Sequence, residues 1–240
     1  MENSVALTDA KVIIALDFDT ESQVLALVEQ LDPKDCRLKV GKELFTRFGP
    51  AIVERLVGQG FDVFLDLKFH DIPNTVAKAC LAAADLGVWM VNVHASGGPK
   101  MLEHTQNQLS QLSHAPKLIA VTILTSMDQA QLDRVVGHTT VNDQVLKLAT
   151  MTREFGLDGV VCSAQEATML KQALGKGFTL VTPGIRPKGA SQDDQSRIVT
   201  PSQAITDGVD YMVIGRPITK ASNPVTALAA INSEIAAAII

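Results

Sequence analysis

Three charged residues, Asp66, Lys68 and Asp71, stand where an apolar stretch of the chain passes into a loop. Burial of an unpaired charge is strongly unfavourable, so charges at the end of a buried strand must pair with one another or with a ligand. Side chains alternate along a strand, which would direct Asp66 and Lys68 to the same face. An ammonium beside a carboxylate at a cavity is a candidate proton donor, and a structural ion pair is the alternative interpretation.

The elements that must position these charges alternate between short β-branched stretches and longer Ala- and Leu-rich stretches. Eight strands are predicted, at Val12–Asp17, Arg37–Val40, Val63–Phe69, Met90–His94, Leu118–Leu124, Gly159–Ser163, Thr179–Thr182 and Tyr211–Gly215. Helices are predicted between them, at Thr20–Leu31, Pro50–Gln59, Thr75–Leu86, Pro99–Leu112, Asn142–Phe155, Ala164–Leu174, Pro201–Thr206 and from Pro224 onward.

Eight strand-then-helix units without a linker predict one α/β domain over residues 1–240, folded as a closed (β/α)8 TIM barrel. The 46% hydrophobic content of the 240 residues is sufficient for a sizeable core. A doubly wound open sheet is the alternative, but no Gly-x-Gly-x-x-Gly motif follows the first strand to support dinucleotide binding.

The composition of the chain argues against some classes of binding partner. The net charge of −5 and the absence of a dense Lys/Arg run argue against nucleic acid or an anionic membrane as the main partner. No apolar window reaches the ~18 residues of a membrane span, and no signal peptide is evident, so a cytoplasmic protein is expected. The odd set Cys36, Cys80 and Cys162 predicts reduced, buried thiols, and the five histidines lack the spacing of a metal site.

In a barrel of this kind the reacting groups lie at the carboxyl ends of the strands. Polar residues fall at or just after the ends of several predicted strands: Asp17, Lys39, Asp66, Lys68, His94, Thr125 and Ser126. Strands 7 and 8 lead into Gly184 to Arg186 and Gly215 to Arg216, where a glycine amide and a guanidinium predict a phosphate site. The polar stretch Lys188–Arg197 is either an inert surface loop or a lid over that site.

The stretch from Phe64 to Thr75, with its Asp-x-Lys-x-x-Asp pattern followed by Asn-Thr, resembles the signature of the orotidine 5′-phosphate decarboxylase family. Further blocks resemble the family in the same order, over nearly the whole chain and in its bacterial form: Ala15–Asp17, Leu38–Gly41, Leu124–Ser126, Pro183–Arg186 and Ile214–Pro217. The family converts orotidine 5′-monophosphate (OMP) to UMP and CO2 in pyrimidine biosynthesis, without a metal or an organic cofactor.

The resemblance implies a role for each matching residue. Lys68 would protonate C6 of the pyrimidine, flanked by Asp66 and Asp71. Lys39 and Asp17 would bind the ribose hydroxyls and support the charge array. The remaining contacts implied for the nucleotide come from Thr125, Arg186, Gln195, Gly215 and Arg216. The family's active form is a homodimer, in which Asp71 and Thr75 would reach into the partner's site.

Three alternatives remain open at this stage. A metal-dependent sugar-phosphate decarboxylase or aldol-type synthase of the same superfamily also carries Asp-x-Lys-x-x-Asp, but needs acidic metal ligands and a different sequel to the last Asp. A Schiff-base role for Lys68 or Lys39 requires a neutral amine, whereas neighbouring carboxylates favour the charged form. A non-catalytic nucleotide-binding barrel is the third alternative.

Overall fold

Eight parallel strands close into a barrel in the computed structural model of the chain, which describes residues 9–187 and 199–239. The strands are β1 (Val12–Ala15), β2 (Arg37–Gly41), β3 (Val63–Phe69), β4 (Met90–His94), β5 (Lys117–Val121), β6 (Gly159–Val161), β7 (Thr179–Pro183) and β8 (Tyr211–Ile214). Each strand pairs in parallel with the next, and β8 pairs with β1 to complete the ring. The predicted TIM barrel is confirmed, and the open sheet is excluded.

The helices follow the strands around the outside of the barrel. They are α1 (Glu21–Val28), α2 (Lys42–Phe48), α3 (Pro50–Gly58), α4 (Pro73–Asp85), α5 (Pro99–Leu109), α6 (Gln129–Val135), α7 (Val141–Glu154), α8 (Ala164–Leu174), α9 (Pro201–Asp207), α10 (Arg216–Thr219) and α11 (Pro224–Ile239). The sequence did not predict α2, α6 and α10, in which four to seven residues leave little room for an apolar period.

Local sequence explains where several helices start. Gly49, at φ 64°, ends α2, and Pro50 then starts α3. Ser163 and Glu166 form a reciprocal capping box at the start of α8, in which the Ser163 N–H donates to Glu166 Oε2 at 2.9 Å. These caps satisfy backbone groups that the first turn of a helix leaves unpaired.

Side chains along each strand point alternately into the barrel and toward the helices, which produces two apolar layers. On β1, Ile13 and Ala15 belong to the cluster inside the barrel, whereas Val12 and Ile14 belong to the larger cluster between strands and helices. Both faces of the strands are therefore buried, which explains the almost continuous apolar stretches in the sequence. The interior cluster fills the middle of the barrel and leaves polar side chains for its ends.

The amino-terminal end of the barrel is closed by stacked and paired side chains. The Arg37 guanidinium lies 4.3 Å from the ring centre of Trp89 and 5.0 Å from that of Tyr211. Arg37 also pairs with Asp9 at 2.8 Å and with Asp62 at 3.0 Å. An Arg between two aromatic faces and two carboxylates seals this end, so the cavity described below opens at the opposite, carboxyl end.

Four strands end earlier than the sequence predicted: β1 at Ala15, β5 at Val121, β6 at Val161 and β8 at Ile214. Asp17 therefore lies on a loop beyond β1 rather than on the strand, whereas Thr125 follows β5 as predicted. The three cysteines are free and buried, as predicted. Within residues 9–187 and 199–239, no helix combines the length and apolar character needed to cross a bilayer.

Candidate active site

A cavity of about 780 Å³ opens at the carboxyl end of the barrel. Residues from β1, β2, β3, β5, β6, β7 and β8, or from the loops that follow these strands, line it, as expected for a parallel barrel. Eight of the predicted site residues share this lining: Asp17, Lys39, Asp66, Lys68, Thr125, Arg186, Gly215 and Arg216. Residues up to 199 positions apart in the chain (17 to 216) therefore meet around one space.

Four of these side chains form a chain of alternating charge along one wall. Lys39 Nζ lies 3.6 Å from Asp17 Oδ1 and 3.5 Å from Asp66 Oδ2. Lys68 Nζ donates to Asp66 Oδ1 at 2.5 Å. Asp17 is 67% exposed, whereas Asp66 and Lys39 are only 13% and 10% exposed. The array thus starts in solvent and ends with the Lys68 ammonium at the cavity wall.

An irregularity in β3 positions Lys68. Leu65 pairs with Val91 and Phe69 with Val93, so four residue steps on β3 span two steps on β4. Within this bulge Lys68 adopts φ 54°, a left-handed backbone that is uncommon for a residue with a side chain. The regular alternation predicted from the sequence is wrong at this point, although Asp66 and Lys68 still meet.

The Asp66 carboxylate is stabilised in its charged form. Burial alone would raise its pKa, but the charges of Lys39 and Lys68, together with hydrogen bonds from Lys68 and Asn92, lower the pKa below its usual value. Asp66 is therefore an anion at neutral pH. The charged Asp66 carboxylate accepts a hydrogen bond from the Lys68 ammonium and so fixes its position.

Asn92, on β4, belongs to this site but was missed by the sequence reasoning. Its side chain is fully buried, donates from Nδ2 to Asp66 Oδ1 at 2.7 Å and accepts at Oδ1 from the Lys68 N–H at 2.8 Å. The available signal was an amide residue in the middle of the apolar stretch Met90 to Val93, because a buried amide must find partners.

The loops after β7 and β8 form another part of the cavity lining. Gly184 has φ 81°, a backbone conformation that favours glycine, and Arg186, two residues further along, is buried. Gly215 and Arg216 lie where β8 passes into α10. Apolar side chains from inside the barrel also line the cavity: Phe64, Val121, Val161, Val181 and Val213. The cavity thus offers cations at its rim and an apolar floor.

Of the predicted site residues that the structure describes, two do not line this cavity within a single chain. Asp71 is exposed on the segment that joins β3 to α4, and its carboxylate accepts from the Ile72 N–H at 2.6 Å. Thr75 is exposed in the first turn of α4. Gln195 and the predicted lid Lys188–Arg197 lie outside the described residues.

Two further residues at the strand ends, His94 and Ser126, are not among the residues that line the cavity. The ring of His94 lies 5.4 Å from that of His70, and burial together with the charges of His70, Lys42 and Lys68 lowers the pKa of His94. The parts of the chain that the structure describes contain no group of three or more potential metal ligands.

Comparison with known proteins agrees with this geometry. The model of the "Orotidine 5′-phosphate decarboxylase / HUMPS family" matches residues 10–231. An orotidine 5′-phosphate decarboxylase from Pseudoalteromonas atlantica is 62% identical over 231 residues, which cover 96% of this chain and 100% of that protein.

Solved structures give the same result. The crystal structure of orotidine 5′-phosphate decarboxylase from Lactobacillus acidophilus is 42% identical, with a TM-score of 0.84 over 95% of this chain and 99% of that one. The corresponding enzyme from Pyrococcus horikoshii, at 23% identity and a TM-score of 0.75 over 93% of this chain and 98% of that one, shares the fold. The chain therefore belongs to the orotidine 5′-phosphate decarboxylase / HUMPS family.

Proposed function

We propose that this chain converts OMP to UMP and CO2 in pyrimidine biosynthesis, and that Lys68 protonates C6 as the carboxylate leaves. The observation that carries the proposal is the Lys68 ammonium, which hydrogen-bonds to the buried Asp66 carboxylate at the wall of the cavity. A proton donor needs a fixed position and a held charge, and the alternating array supplies both. The family relationship supplies the substrate.

The chemistry needs these groups. Loss of CO2 leaves an electron pair on a ring carbon with no adjacent carbonyl to delocalise it, so the site must stabilise that charge electrostatically. The Lys68 ammonium near C6 stabilises the developing carbanion and then transfers a proton to it. The C–C bond to the carboxylate breaks, its electron pair stays on C6, and a new C–H bond forms with the proton from Nζ.

Asp66 adds a second effect at the reacting end. A substrate carboxylate about 4 Å from Asp66 would be repelled by on the order of 4 kcal/mol at an effective dielectric of about 20. This repulsion is relieved when neutral CO2 departs, so it favours the forward step. The apolar floor of the cavity would receive the departing CO2 without offering it a competing charge.

The remaining lining residues would bind the rest of the nucleotide. Asp17 and Lys39 would contact the ribose hydroxyls, and Thr125 would contact the pyrimidine. Arg216 and the Gly215 amide would hold the phosphate, with Arg186 beside it. That all of these line one cavity with Lys68 supports the assignment. Gln195 would bridge a closing lid to the nucleotide. Binding energy from the distant phosphate can then serve to hold the base against Lys68.

We further propose a homodimer in which Asp71 and Thr75 complete the neighbouring subunit's site. In one chain both residues are exposed and neither lines the cavity, and the Ile72 side chain between them is 67% exposed. An apolar side chain beside a proposed functional carboxylate suits a surface that a partner covers. The cytoplasm is the proposed place of action.

Ultraviolet absorbance tests the reaction and the role of Lys68 together. Protein treated with EDTA is mixed with OMP, and the fall in absorbance is compared for wild type, Lys68→Ala and the control Lys100→Ala. Lys100 lies exposed on α5, away from the cavity. Wild type and Lys100→Ala should decarboxylate OMP equally, and Lys68→Ala should lose about 10³-fold or more in rate.

Two results would contradict this. A folded wild type that leaves OMP unchanged would overturn the assigned reaction, and sugar phosphates with added metal would be screened next. Activity that EDTA abolishes and a divalent metal restores would favour the metal-dependent branch of the superfamily.

A further inference from the structure

The side chain of Asn92 forms hydrogen bonds with both Lys68, the proposed proton donor, and Asp66, its carboxylate partner. Its side chain lies at 0% exposure in the middle of β4. The amide nitrogen donates to Asp66 Oδ1 at 2.7 Å, and the amide oxygen accepts from the backbone N–H of Lys68 at 2.8 Å. The two partners require opposite ends of the amide, since a carboxylate only accepts and an N–H only donates. The orientation of the amide is therefore determined by its partners.

The Lys68 backbone needs such a partner. At φ 54° a residue with a side chain is unfavourable by on the order of 1–3 kcal/mol and persists only when its surroundings hold it. The bulge between Leu65 and Phe69 interrupts the regular pairing of β3 with β4 at this residue. The Asn92 amide oxygen, rather than a backbone carbonyl of β4, accepts from the Lys68 N–H. The side chain of Asn92 thus replaces a rung of the sheet.

We propose that Asn92 is a positioning residue for the decarboxylation, an inference that rests on the proposed function. The oxygen of the Asn92 amide binds the backbone N–H of Lys68. The nitrogen of the same amide binds the Asp66 carboxylate, which in turn accepts from the Lys68 ammonium. The path from the Lys68 backbone through Nζ and Asp66 back to Asn92 is a closed ring of contacts. This ring sets where the ammonium stands relative to the nucleotide, without any contact between Asn92 and the substrate.

A merely structural Asn would also satisfy two buried groups, so the test must separate positioning from stability. The proposed phosphate-binding residues belong to the loops after β7 and β8, whereas the two hydrogen bonds of the Asn92 side chain go to Asp66 and Lys68 on β3. Loss of positioning should therefore lower kcat and leave UMP binding intact. Loss of stability alone should lower the melting temperature and leave kcat per folded molecule unchanged.

The first variant is Asn92→Leu, which has a similar size and neither donates nor accepts. We expect kcat to fall about 100-fold, as for a displacement of about 1 Å at the reacting group, with the inhibition constant of UMP within about threefold of wild type. Thr152→Val is the matched control, because Thr152 is a fully buried residue of α7 that donates a hydrogen bond at 2.8 Å far from the cavity. It should lose stability and keep kcat.

The second variant is Asn92→Asp, for which the pH dependence of kcat is measured. The charged groups around this position are Asp66 and Lys68 on β3, Lys39 on β2 and His94 on β4. Two carboxyl groups within hydrogen-bonding distance cannot both ionise easily, so the introduced group should take up a proton well above the usual range of an Asp. Once protonated, it can donate to Asp66 and still accept from the Lys68 N–H. The ratio of variant to wild-type kcat should therefore rise as pH falls from 8 to 5.5.

The outcomes separate the two claims. An inactive wild type overturns the proposed function. An active wild type together with a folded Asn92→Leu protein of wild-type kcat overturns the role of Asn92, and so does a variant in which kcat and UMP binding fall equally. If Asn92→Leu does not fold, the pH dependence of the Asn92→Asp ratio decides: a ratio that rises as pH falls supports positioning, and a ratio independent of pH overturns it.

Discussion

At the scale of single residues, the candidate site depends on opposing electrostatic effects at Asp66. Burial raises its pKa, and the charges of Lys39 and Lys68 together with the hydrogen bonds from Lys68 and Asn92 lower it by a larger amount in total. Removing one partner of a buried ion pair leaves an uncompensated buried charge, which costs more than an exposed pair contributes. The wall of the cavity is therefore stable only while the carboxylate and both cations are present together.

The shifted pKa of Asp66 predicts how stability depends on pH. A carboxyl group whose pKa is lower in the folded than in the unfolded state stabilises the folded protein. This contribution is complete at pH values above the pKa of the unfolded state and is lost as the pH falls through the pKa of the folded state. At any pH between 5 and 7, the free energy of unfolding of Asp66→Asn should thus be about 3 kcal/mol lower than that of wild type. The difference from wild type should shrink below about pH 4, the ordinary range of an Asp.

Urea denaturation of wild type and Asp66→Asn between pH 3 and 7 measures this difference. Asp85→Asn is the control, since Asp85 is an exposed carboxylate at the end of α4, and its replacement should change stability by less than about 0.5 kcal/mol. A difference for Asp66→Asn that grows as the solution is acidified would show that the sign of the shift is wrong.

At the scale of elements, close contact between strands constrains single positions. Gly159 on β6 pairs with Thr179 on β7, and a Cβ at Gly159 would stand 2.0 Å from the Thr179 carbonyl oxygen. That atom belongs to the backbone of the barrel and cannot move aside as a flexible side chain does. The two strands approach so closely because one of them carries no side chain at that point.

Gly159→Ala should therefore push β6 and β7 apart. We expect a loss of about 3 kcal/mol or more in the free energy of unfolding, at the upper end of the usual cost of overpacking. Gly177→Ala is the matched control, because a Cβ there meets nothing within 4 Å and its φ is not positive. Guanidinium denaturation midpoints measure both, and equal stability of the two variants would contradict the close approach.

At the scale of the whole molecule, the proposed homodimer would bring the third charge of the sequence pattern to the site. Asp71, the third charge of the sequence pattern, is exposed and lies away from the cavity that holds Lys68. A two-fold dimer would supply each site with the partner's Asp71, because such an interface repeats every contact in both directions. Each subunit would then provide the proton donor of one site and the outer carboxylate of the other.

Mixed dimers test this arrangement. Lys68→Ala and Asp71→Ala proteins should each be nearly inactive, but a hybrid of the two would contain one site with both groups intact. After random exchange at equal concentrations, half of the dimers are hybrids, so about a quarter of the wild-type sites should be restored. Activity per mole before and after verified subunit exchange measures the effect, and no recovery would count against the shared site.

The Lys68→Ala protein mixed with wild type provides the reference for subunit exchange. Its activity per mole of total protein should remain at about half of the wild-type value, because every wild-type Lys68 still meets an intact Asp71 from either partner. A further fall on mixing would indicate that the two sites of a dimer depend on each other.

The sequence by itself determined the architecture and most of the residues of the candidate site. Eight apolar strands alternating with helices can bury both of their faces only under a layer of helices, which explains why the order of elements was sufficient to predict the barrel. Asp17, Lys39, Asp66 and Lys68 could be identified because charges at the ends of buried strands need partners, and the barrel topology gathers those ends on one rim.

Only the tertiary structure decided how these residues meet. The bulge in β3 and the left-handed backbone of Lys68 have no local sequence signal, because they arise from a mismatch in pairing with β4, which is distant in the chain. The two contacts of Asn92 follow from the same pairing. Strand pairing is long-range and periodicity is local, so the sequence could indicate which residues form the site but not how β4 holds Lys68 in place.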